Sequence, residues 1–185
     1  VKDRQYTTQA DGLPRRSTQT AMYHVLSALM RWAAPILSFT AEEIQREIPG
    51  DNPASVFMNQ WYSELPSLPP GSDMDNAFWQ EVLLVRETVS RELEGLRNQK
   101  IIGGSLDAEI VLYCDDALAA LLDKLGDELR FVLITSYASV QPLAEKPQDA
   151  ETITLKNGHQ LAVVARASEH RKCGRCWQHR EDVGA

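Results

Sequence analysis

Two cysteines near the end of the chain have the spacing of metal ligands. Cys173 and Cys176 stand in the sequence CGRC, and a turn of this length lets both sulfur atoms face one ion. Structural zinc takes four ligands in a tetrahedron, so the pair forms half of a zinc knuckle. The nearest further donors are His170 and His179. A redox pair is the competing interpretation, but the basic sequence RKCGRCW lacks the strand and helix that usually frame a redox motif.

The positive charge of the chain is concentrated around this motif. The chain as a whole carries a net charge of −7, which argues against indiscriminate binding of nucleic acid. Residues 166–180 have the opposite balance, with one acid, Glu169, among these basic residues: Arg166, Arg171, Lys172, Arg175 and Arg180. Trp177 adds an aromatic face beside Arg175, on which an unpaired base can stack. A solvated charged tail and a packing role for Trp177 are the alternatives.

The elements that must position these residues begin with an amphipathic helix. Its apolar residues recur at spacings of three and four, and such a stripe needs a partner helix to bury it: Met22, Val25, Leu26, Leu29, Ala33, Ile36 and Leu37. Pro35 interrupts the run because it lacks an N–H group. Thr40 with Glu43 has the form of a capping box that opens a second, shorter helix, which Pro49 and Gly50 end.

Arg15 and Arg16 lie at the start of the first helix. The partial positive charge of a helix N-terminus favours anions, so both arginines are placed against the helix dipole. We expect them either to contact an anionic partner, such as the backbone of a nucleic acid, or to form ion pairs within the helical bundle.

A long loop and a second long helix follow. Residues 50–74 are rich in Pro, Gly, Asp and Ser, which predicts a loop. We expect Trp61 to be buried against the helices rather than exposed as a stacking platform. From Asp75 to about Lys100 the apolar residues again step by three and four, which predicts a helix: Phe78, Val82, Val85, Val89, Leu93 and Leu96.

The hydrophobic period changes after the two glycines at 103–104. Residues 109–113 predict a strand, and the two aspartates that follow can cap a helix. Residues 137–142 predict another strand. Asn-Gly at 157–158 lies between two apolar runs, which predicts a β-hairpin. Together these elements predict a small α/β domain behind a helical one.

Several of these segments resemble bacterial isoleucyl-tRNA synthetases. RRSTQT at 15–20, followed by APILSFTAEE at 34–43, is similar to the anticodon-binding helical domain of that family. Further segments agree in order: KDRQY at 2–6, VFMNQWY at 56–62, GGSLDAEIVLY at 103–113, ELRFVLITS at 128–136, KNG at 156–158 and CGRCW at 173–177. The first two segments alone would also fit the non-catalytic part of class I synthetases for valine or leucine. CGRCW near a C-terminus favours isoleucine.

The resemblance implies a mainly α fold that starts with a partial anticodon-binding helical bundle over residues 1–102, including the loop at 50–74. A small α/β domain with a β-hairpin follows over 103–166, and then a truncated zinc knuckle over 167–185. We expect a C-terminal piece of a longer protein, because the chain begins without Met. The zinc finger of the family has a second C-x-x-C, which this chain does not include, so we expect its zinc site to be incomplete.

The resemblance also implies that the parent protein is an isoleucine–tRNA ligase, which attaches isoleucine to tRNA(Ile) with ATP. The ATP-binding signatures of the family and any editing-site sequence are absent from the chain, so we expect no catalytic residue here and no activity from the chain alone. The expected partners are the anticodon stem-loop of tRNA(Ile) and the missing N-terminal catalytic domain, in a cytoplasmic monomer without a membrane span. The expected tRNA-binding residues are Trp177, Arg175, Lys172, Arg171, Arg15 and Arg16.

A rival hypothesis comes from a different class of protein. A free-standing zinc-dependent adaptor would use its amphipathic helices to bind a protein partner instead of tRNA. In that case Cys173 and Cys176 would have a structural role, and the basic residues around them would be a solvated surface.

Overall fold

The computed structural model describes residues 2–69 and 71–184. By packing, the chain divides into two compact units, one that ends at Ser67 and one that begins at Leu68. Residues 1 and 185, the outer limits of the predicted domains, lie outside the described ranges. No helix within those ranges combines the length and apolar character that a membrane crossing requires.

The first unit is helical. It contains α1 (Lys2–Tyr6), α2 (Leu13–Ala33) and α3 (Ser38–Glu47). The predicted interruption at Pro35 is confirmed, since α2 ends two residues before it. The predicted end of the second helix is confirmed too, because α3 stops just before Pro49.

The predicted capping box of α3 is wrong. This helix begins at Ser38 with Leu37 as its N-cap, and no side chain caps it. Thr40 lies inside the first turn instead of preceding it. The backbone N–H of Leu37 donates to the carbonyl of Ala33 at 2.7 Å. The chain therefore re-enters a helix directly after the turn at Pro35 and needs no separate cap.

The predicted apolar stripe of α2 remains largely exposed in the first unit. The buried core of this unit is small and consists of Met30, Ala34, Ala41, Ile48 and Val56. Most of the predicted stripe lies outside that core: Met22, Val25, Leu26 and Leu29 are between 41% and 54% exposed. The spacing predicted the helix correctly, and the described residues of the first unit leave about half of this face exposed.

The expectation that Trp61 is buried is wrong. Its side chain is 69% exposed, and it stacks on Trp32 with ring centroids 6.2 Å apart. Tyr62 takes the buried position instead, at 5% exposed, and its hydroxyl lies 2.6 Å from Nδ1 of His24. The neighbouring tyrosine thus anchors this part of the loop, because its polar end has a partner in α2.

The second unit begins with the long helix predicted from Asp75, which is confirmed as α4 (Asn76–Asn98). The side chain of Asp75 caps it by accepting a hydrogen bond from the N–H of Phe78 at 2.9 Å. Its apolar stripe is buried in the core that also contains the strands. The sequence predicts this helix as part of the bundle, whereas in the structure it packs against a sheet. The division of the chain at residues 102 and 166 stays a prediction.

A mixed sheet of four strands forms the rest of the second unit. The strand order is β2-β1-β4-β3, with β1 parallel to β2 and antiparallel to β4. The bounds are β1 (Ala108–Cys114), α5 (Asp116–Leu122), α6 (Leu129–Leu133), β2 (Tyr137–Pro142), β3 (Ile153–Thr154) and β4 (Gln160–Ala167). Both predicted strands and the predicted hairpin are confirmed. Gly158 supplies the positive φ of 93° that the hairpin turn requires.

The central strand of this sheet is buried. Ala108, Ile110, Leu112 and Cys114 are all 0% exposed, as the alternation of a strand predicts for one face. Burial raises the pKa of the Cys114 thiol to about 12. This cysteine is therefore a small apolar core residue and not a reactive thiol.

The chain ends in a two-stranded hairpin formed by β5 (Arg171–Lys172) and β6 (His179–Arg180). We call residues 168–184 the C-terminal hairpin. The CGRC motif lies in the turn between its strands, so the spacing that suggested metal chemistry also makes the turn.

Candidate nucleic-acid interface

The turn of the C-terminal hairpin is closed by backbone hydrogen bonds. The N–H of Cys173 donates to the carbonyl of Gln178, and the N–H of Trp177 donates to the carbonyl of Cys173, both at 2.9 Å. Hydrogen bonds from the backbone N–H groups of Cys176 and Arg175 lower the pKa of the Cys173 thiol. Donors of this kind favour the thiolate, which is the form that binds a metal.

Cys173 and Cys176 are the metal-ligand candidates of the hairpin, and the two nearby histidines have other neighbours. Nε2 of His170 lies 3.6 Å from Oε1 of Glu109. Nδ1 of His179 donates to the carbonyl of His170 at 2.7 Å, and its Nε2 lies 3.3 Å from Oδ1 of Asp107. Each imidazole thus has a carboxylate neighbour in the second unit. Across the two described ranges no three His, Cys, Asp or Glu side chains form a metal-binding group, so Cys173 and Cys176 fit two of the four ligands that zinc requires.

Trp177 has an unusual backbone conformation. Its φ is 66°, in the left-handed region where glycine is usual and a bulky residue is an outlier. Placing a residue with a Cβ atom there costs about 1–2 kcal/mol. The indole is 54% exposed, so burial does not offset this cost. A strained, exposed aromatic residue on a basic turn is a candidate for ligand contact.

The predicted basic residues of the hairpin differ in their surroundings. Arg171 and Arg175 are exposed. Lys172 is 52% exposed, and its Nζ lies 3.2 Å from Oδ1 of Asp107, which partly neutralises its charge. The structure therefore brings all three into one short segment with Trp177, but it gives Lys172 a structural partner as well.

A polar cleft of about 620 Å³ separates the hairpin from the sheet. Its lining has both signs of charge and includes Glu109, Arg130, Tyr137, Arg166, His170 and His179. Burial raises the pKa of Glu109, but hydrogen bonds from Ser168 and Arg166 outweigh burial and leave its pKa below the ordinary value. Glu109 is therefore an anion that holds the cations around it, and the charges of the lining nearly balance, with four acids and three arginines.

Arg15 and Arg16 lie in the first turn of α2, in the other unit. Gly12 is the N-cap and provides no side-chain hydrogen bond, and the first turn has no acidic residue. Arg16 is exposed and Arg15 is half-buried. Between residues 2 and 184, leaving aside residue 70, no ion pair joins either arginine to an acid. The ion pairs that we considered within the bundle are therefore not found among the described residues.

Several residues that fix the hairpin were missed in the sequence. Gln178 is 4% exposed, and its Oε1 accepts a hydrogen bond from Nη1 of Arg130 at 2.8 Å. Ser136 accepts from the N–H of His179 at 2.6 Å. These partners are more than forty positions apart, so no local pattern could have paired them. The only available signal was the segment ELRFVLITS, which contains Arg130 and Ser136.

Comparison with known proteins gives the family. The family described as "Anticodon-binding domain of tRNA ligase" matches residues 1–112. The whole chain is also similar to proteins named isoleucine–tRNA ligase: it is 56% identical to that of Thioalkalivibrio sulfidiphilus, 54% to that of Pseudomonas putida and 52% to that of Stutzerimonas stutzeri. Each alignment covers 100% of this chain and 19–20% of the relative.

The chain thus spans about one fifth of the length of the curated relatives it matches. The similarity extends through the sheet and the C-terminal hairpin, beyond the residues of the family match. The predicted resemblance is confirmed. This chain belongs to the family of anticodon-binding domains of tRNA ligases, and the relatives named above, which match all of this chain, are isoleucine–tRNA ligases.

Proposed function

We propose that this chain recognises the anticodon stem-loop of tRNA(Ile) as part of an isoleucine–tRNA ligase. The proposal is carried by the similarity over all 185 residues to ligases of that name, together with the family match over residues 1–112. The whole protein would attach isoleucine to its tRNA with ATP. That chemistry would reside in the four-fifths of the relatives' length to which this chain has no counterpart, so no catalytic residue is assigned here.

In this proposal Trp177 stacks on an unpaired base of the anticodon loop. Bases of a loop can be splayed out onto an aromatic face, and each stacked base contributes about 1–3 kcal/mol to binding. Arg171, Lys172 and Arg175 contact phosphates near that base. A bidentate guanidinium suits this role better than an ammonium that already has a carboxylate partner.

Arg15 and Arg16 would contact a second stretch of the RNA backbone. Their position against the helix dipole is a cost that a phosphate partner offsets. Because these two arginines belong to the first unit and Trp177 to the second, each unit contributes its own contact, and the two contacts can be tested independently.

Zinc would hold the turn of the C-terminal hairpin through Cys173 and Cys176, with its remaining ligands supplied from outside the described residues. A bound zinc would act as a structural cross-link, and this chain would contribute two thiolates to it. We also propose that the division into a helical bundle over 1–102, an α/β domain over 103–166 and a finger region over 167–185 reflects the functional parts of a monomeric, cytoplasmic protein.

The decisive experiment replaces Trp177 with glycine in the full-length ligase. Glycine adopts a φ of 66° without strain, so Trp177→Gly removes the indole while relieving the turn. We expect the affinity for tRNA(Ile) to fall about tenfold or more, with zinc content unchanged. The slope of log affinity against log salt should stay constant, because stacking releases no counterion.

Arg175→Ala is the matched comparison. Losing one phosphate contact should reduce the salt slope by about 0.7 to 0.9, so this variant should lose more affinity at low salt than at high salt. If Trp177→Gly keeps its zinc and binds tRNA(Ile) as tightly as the unmodified ligase, the stacking role is wrong. If both variants bind normally, the hairpin is not an RNA-binding surface.

A further inference from the structure

The C-terminal hairpin is attached to the second unit by polar contacts. No described residue of the hairpin belongs to the hydrophobic core, whose last members along the chain are Val163, Ala165 and Ala167. The most buried residue of the hairpin is a glutamine, Gln178. Hydrophobic burial has no preferred direction, whereas hydrogen bonds fix both distance and angle. The orientation of Trp177 on the domain therefore depends on a few hydrogen bonds and on the ion pair of Lys172 with Asp107.

Gln178 makes the central contact. Its Oε1 accepts a hydrogen bond from Nη1 of Arg130 on α6 at 2.8 Å. Its backbone carbonyl accepts from the N–H of Cys173 across the turn at 2.9 Å. One residue thus links the turn that carries Trp177 to the helix that leads into the sheet. The bond to the guanidinium is charge-assisted, which makes it stronger than a neutral one.

Two further contacts hold the hairpin at its two ends. On the second strand, the N–H of His179 donates to Oγ of Ser136 at 2.6 Å, and Ser136 is 3% exposed. On the approach to the first strand, the N–H of Ser168 donates to the carbonyl of Asp107 at 2.8 Å. Both strands are therefore tied to fixed points on the domain, and the turn projects from between them.

We propose that the Gln178–Arg130 contact, together with the His179–Ser136 contact, positions Trp177 for stacking on RNA. Gln178 touches no base in this proposal, so it is a positioning residue that acts through Trp177. The inference rests on the function proposed above and deepens it by naming the residues that orient the indole. The sheet keeps its own core without the hairpin, so losing the contact should free the hairpin and leave the sheet folded.

The test uses the full-length, zinc-loaded ligase and two replacements at one position. Gln178→Met preserves the length of the side chain and removes the acceptor. Gln178→Glu keeps an acceptor for Arg130. Gln148→Met is the matched control, because Gln148 is an exposed glutamine of the same unit. Amide hydrogen exchange, zinc content and binding of tRNA(Ile) are measured for each variant.

Gln178→Met should raise amide exchange across 168–184 about tenfold, because losing a hydrogen bond to a charged group changes an equilibrium by about that factor or more. Exchange in β1 and β4 should not change. Binding of tRNA(Ile) should weaken by a similar factor, while Gln178→Glu and Gln148→Met retain normal exchange and binding. Because Gln178 acts through Trp177, the losses of the two single variants should not multiply in the double variant Gln178→Met, Trp177→Gly.

The inference is overturned if Gln178→Met binds tRNA(Ile) normally, or if exchange rises throughout the sheet as well as in the hairpin. It is also overturned if the losses of the two single variants multiply in the double variant, since the residues would then act independently. Normal binding by Trp177→Gly would overturn the proposed role of Trp177, and the inference with it. Normal binding by Gln178→Met alone would overturn only the inference, so the two failures are distinguishable.

Discussion

Asp115 is the residue whose replacement gives the clearest stability prediction. Its Oδ1 accepts a hydrogen bond from the N–H of Leu118 at 2.9 Å and so caps α5. Its Oδ2 accepts from the N–H of Gln160 at 2.6 Å, at the start of β4. Nδ1 of His159 lies 3.1 Å from Oδ1. A single carboxylate thus joins α5 to β4, the strand that pairs with β1.

The two backbone contacts set the size of the effect. Removing an aspartate N-cap costs about 1 kcal/mol, and the lost hydrogen bond to Gln160 costs about 0.5–1.5 kcal/mol. We therefore expect Asp115→Ala to lower the free energy of unfolding by about 1.5–2.5 kcal/mol. Asp116→Ala is the control, because Asp116 is exposed and has no such contacts; it should cost at most about 0.5 kcal/mol.

The stability that Asp115 contributes should also decrease at low pH. Burial raises the pKa of Asp115, but hydrogen bonds from the N–H groups of Leu118 and Gln160 outweigh burial and leave its pKa below the ordinary value. A lowered pKa in the folded protein contributes stability above the unfolded pKa of about 4, and this contribution is lost as the pH falls through the folded pKa. The stability difference between the unmodified protein and Asp115→Asn should therefore shrink as the pH falls below about 4.

Hydrogen exchange on peptides covering 108–122 and 158–167, compared with urea denaturation, measures these effects within the second unit. Equal protection in Asp115→Ala and Asp116→Ala would refute the reasoning, since only Asp115 joins α5 to β4. A difference from Asp115→Asn that stays constant down to pH 2 would refute the electrostatic part.

Two further predictions concern the apolar residues. Leu93 is 4% exposed in the core, and Leu83 is 54% exposed on the same helix. In urea denaturation, Leu93→Ala should therefore lower the free energy of unfolding by about 2–5 kcal/mol, and Leu83→Ala should change it by at most about 0.5 kcal/mol. Similar losses for the two variants would contradict the assigned face of α4. Leu29 is 54% exposed on the uncovered face of α2, so Leu29→Gln should reduce binding of the dye ANS by this chain. An unchanged dye signal would show that this face is covered in solution.

The features that could be predicted from the sequence are those with a local cause. Pro35 ends α2 because a proline has no N–H to donate, wherever the helix packs. Asp75 caps α4 through a bond to a residue three positions on. The hairpin at 157–158 follows from the conformations that asparagine and glycine adopt. In each case the partner lies within a few residues, so the sequence contains both sides of the interaction.

The features that could not be predicted have partners far along the chain. The stripe of α4 shows which face is buried, but valines and leucines fit a sheet as well as a helix, so its packing against β4 was not foreseen. Thr40 was assigned as a cap by its spacing to Glu43, and the backbone turn at Pro35 made that cap unnecessary. The role of Gln178 could not be predicted because it depends on a hydrogen bond to Arg130, 48 positions away in the chain.

Two adjacent basic residues of the C-terminal hairpin also could not be told apart from the sequence alone. Arg171 and Lys172 are adjacent, exposed and equally charged, so their sequence gives no reason to separate them. Both lie in β5, and successive side chains of a strand point to opposite faces. That alternation directs Lys172 to the carboxylate of Asp107 and directs Arg171 to the other face. A salt bridge already formed must be broken or shared before Lys172 can bind a phosphate, whereas no described residue forms an ion pair with Arg171. Of these two cations, Arg171 should therefore contribute more to the salt dependence of RNA binding.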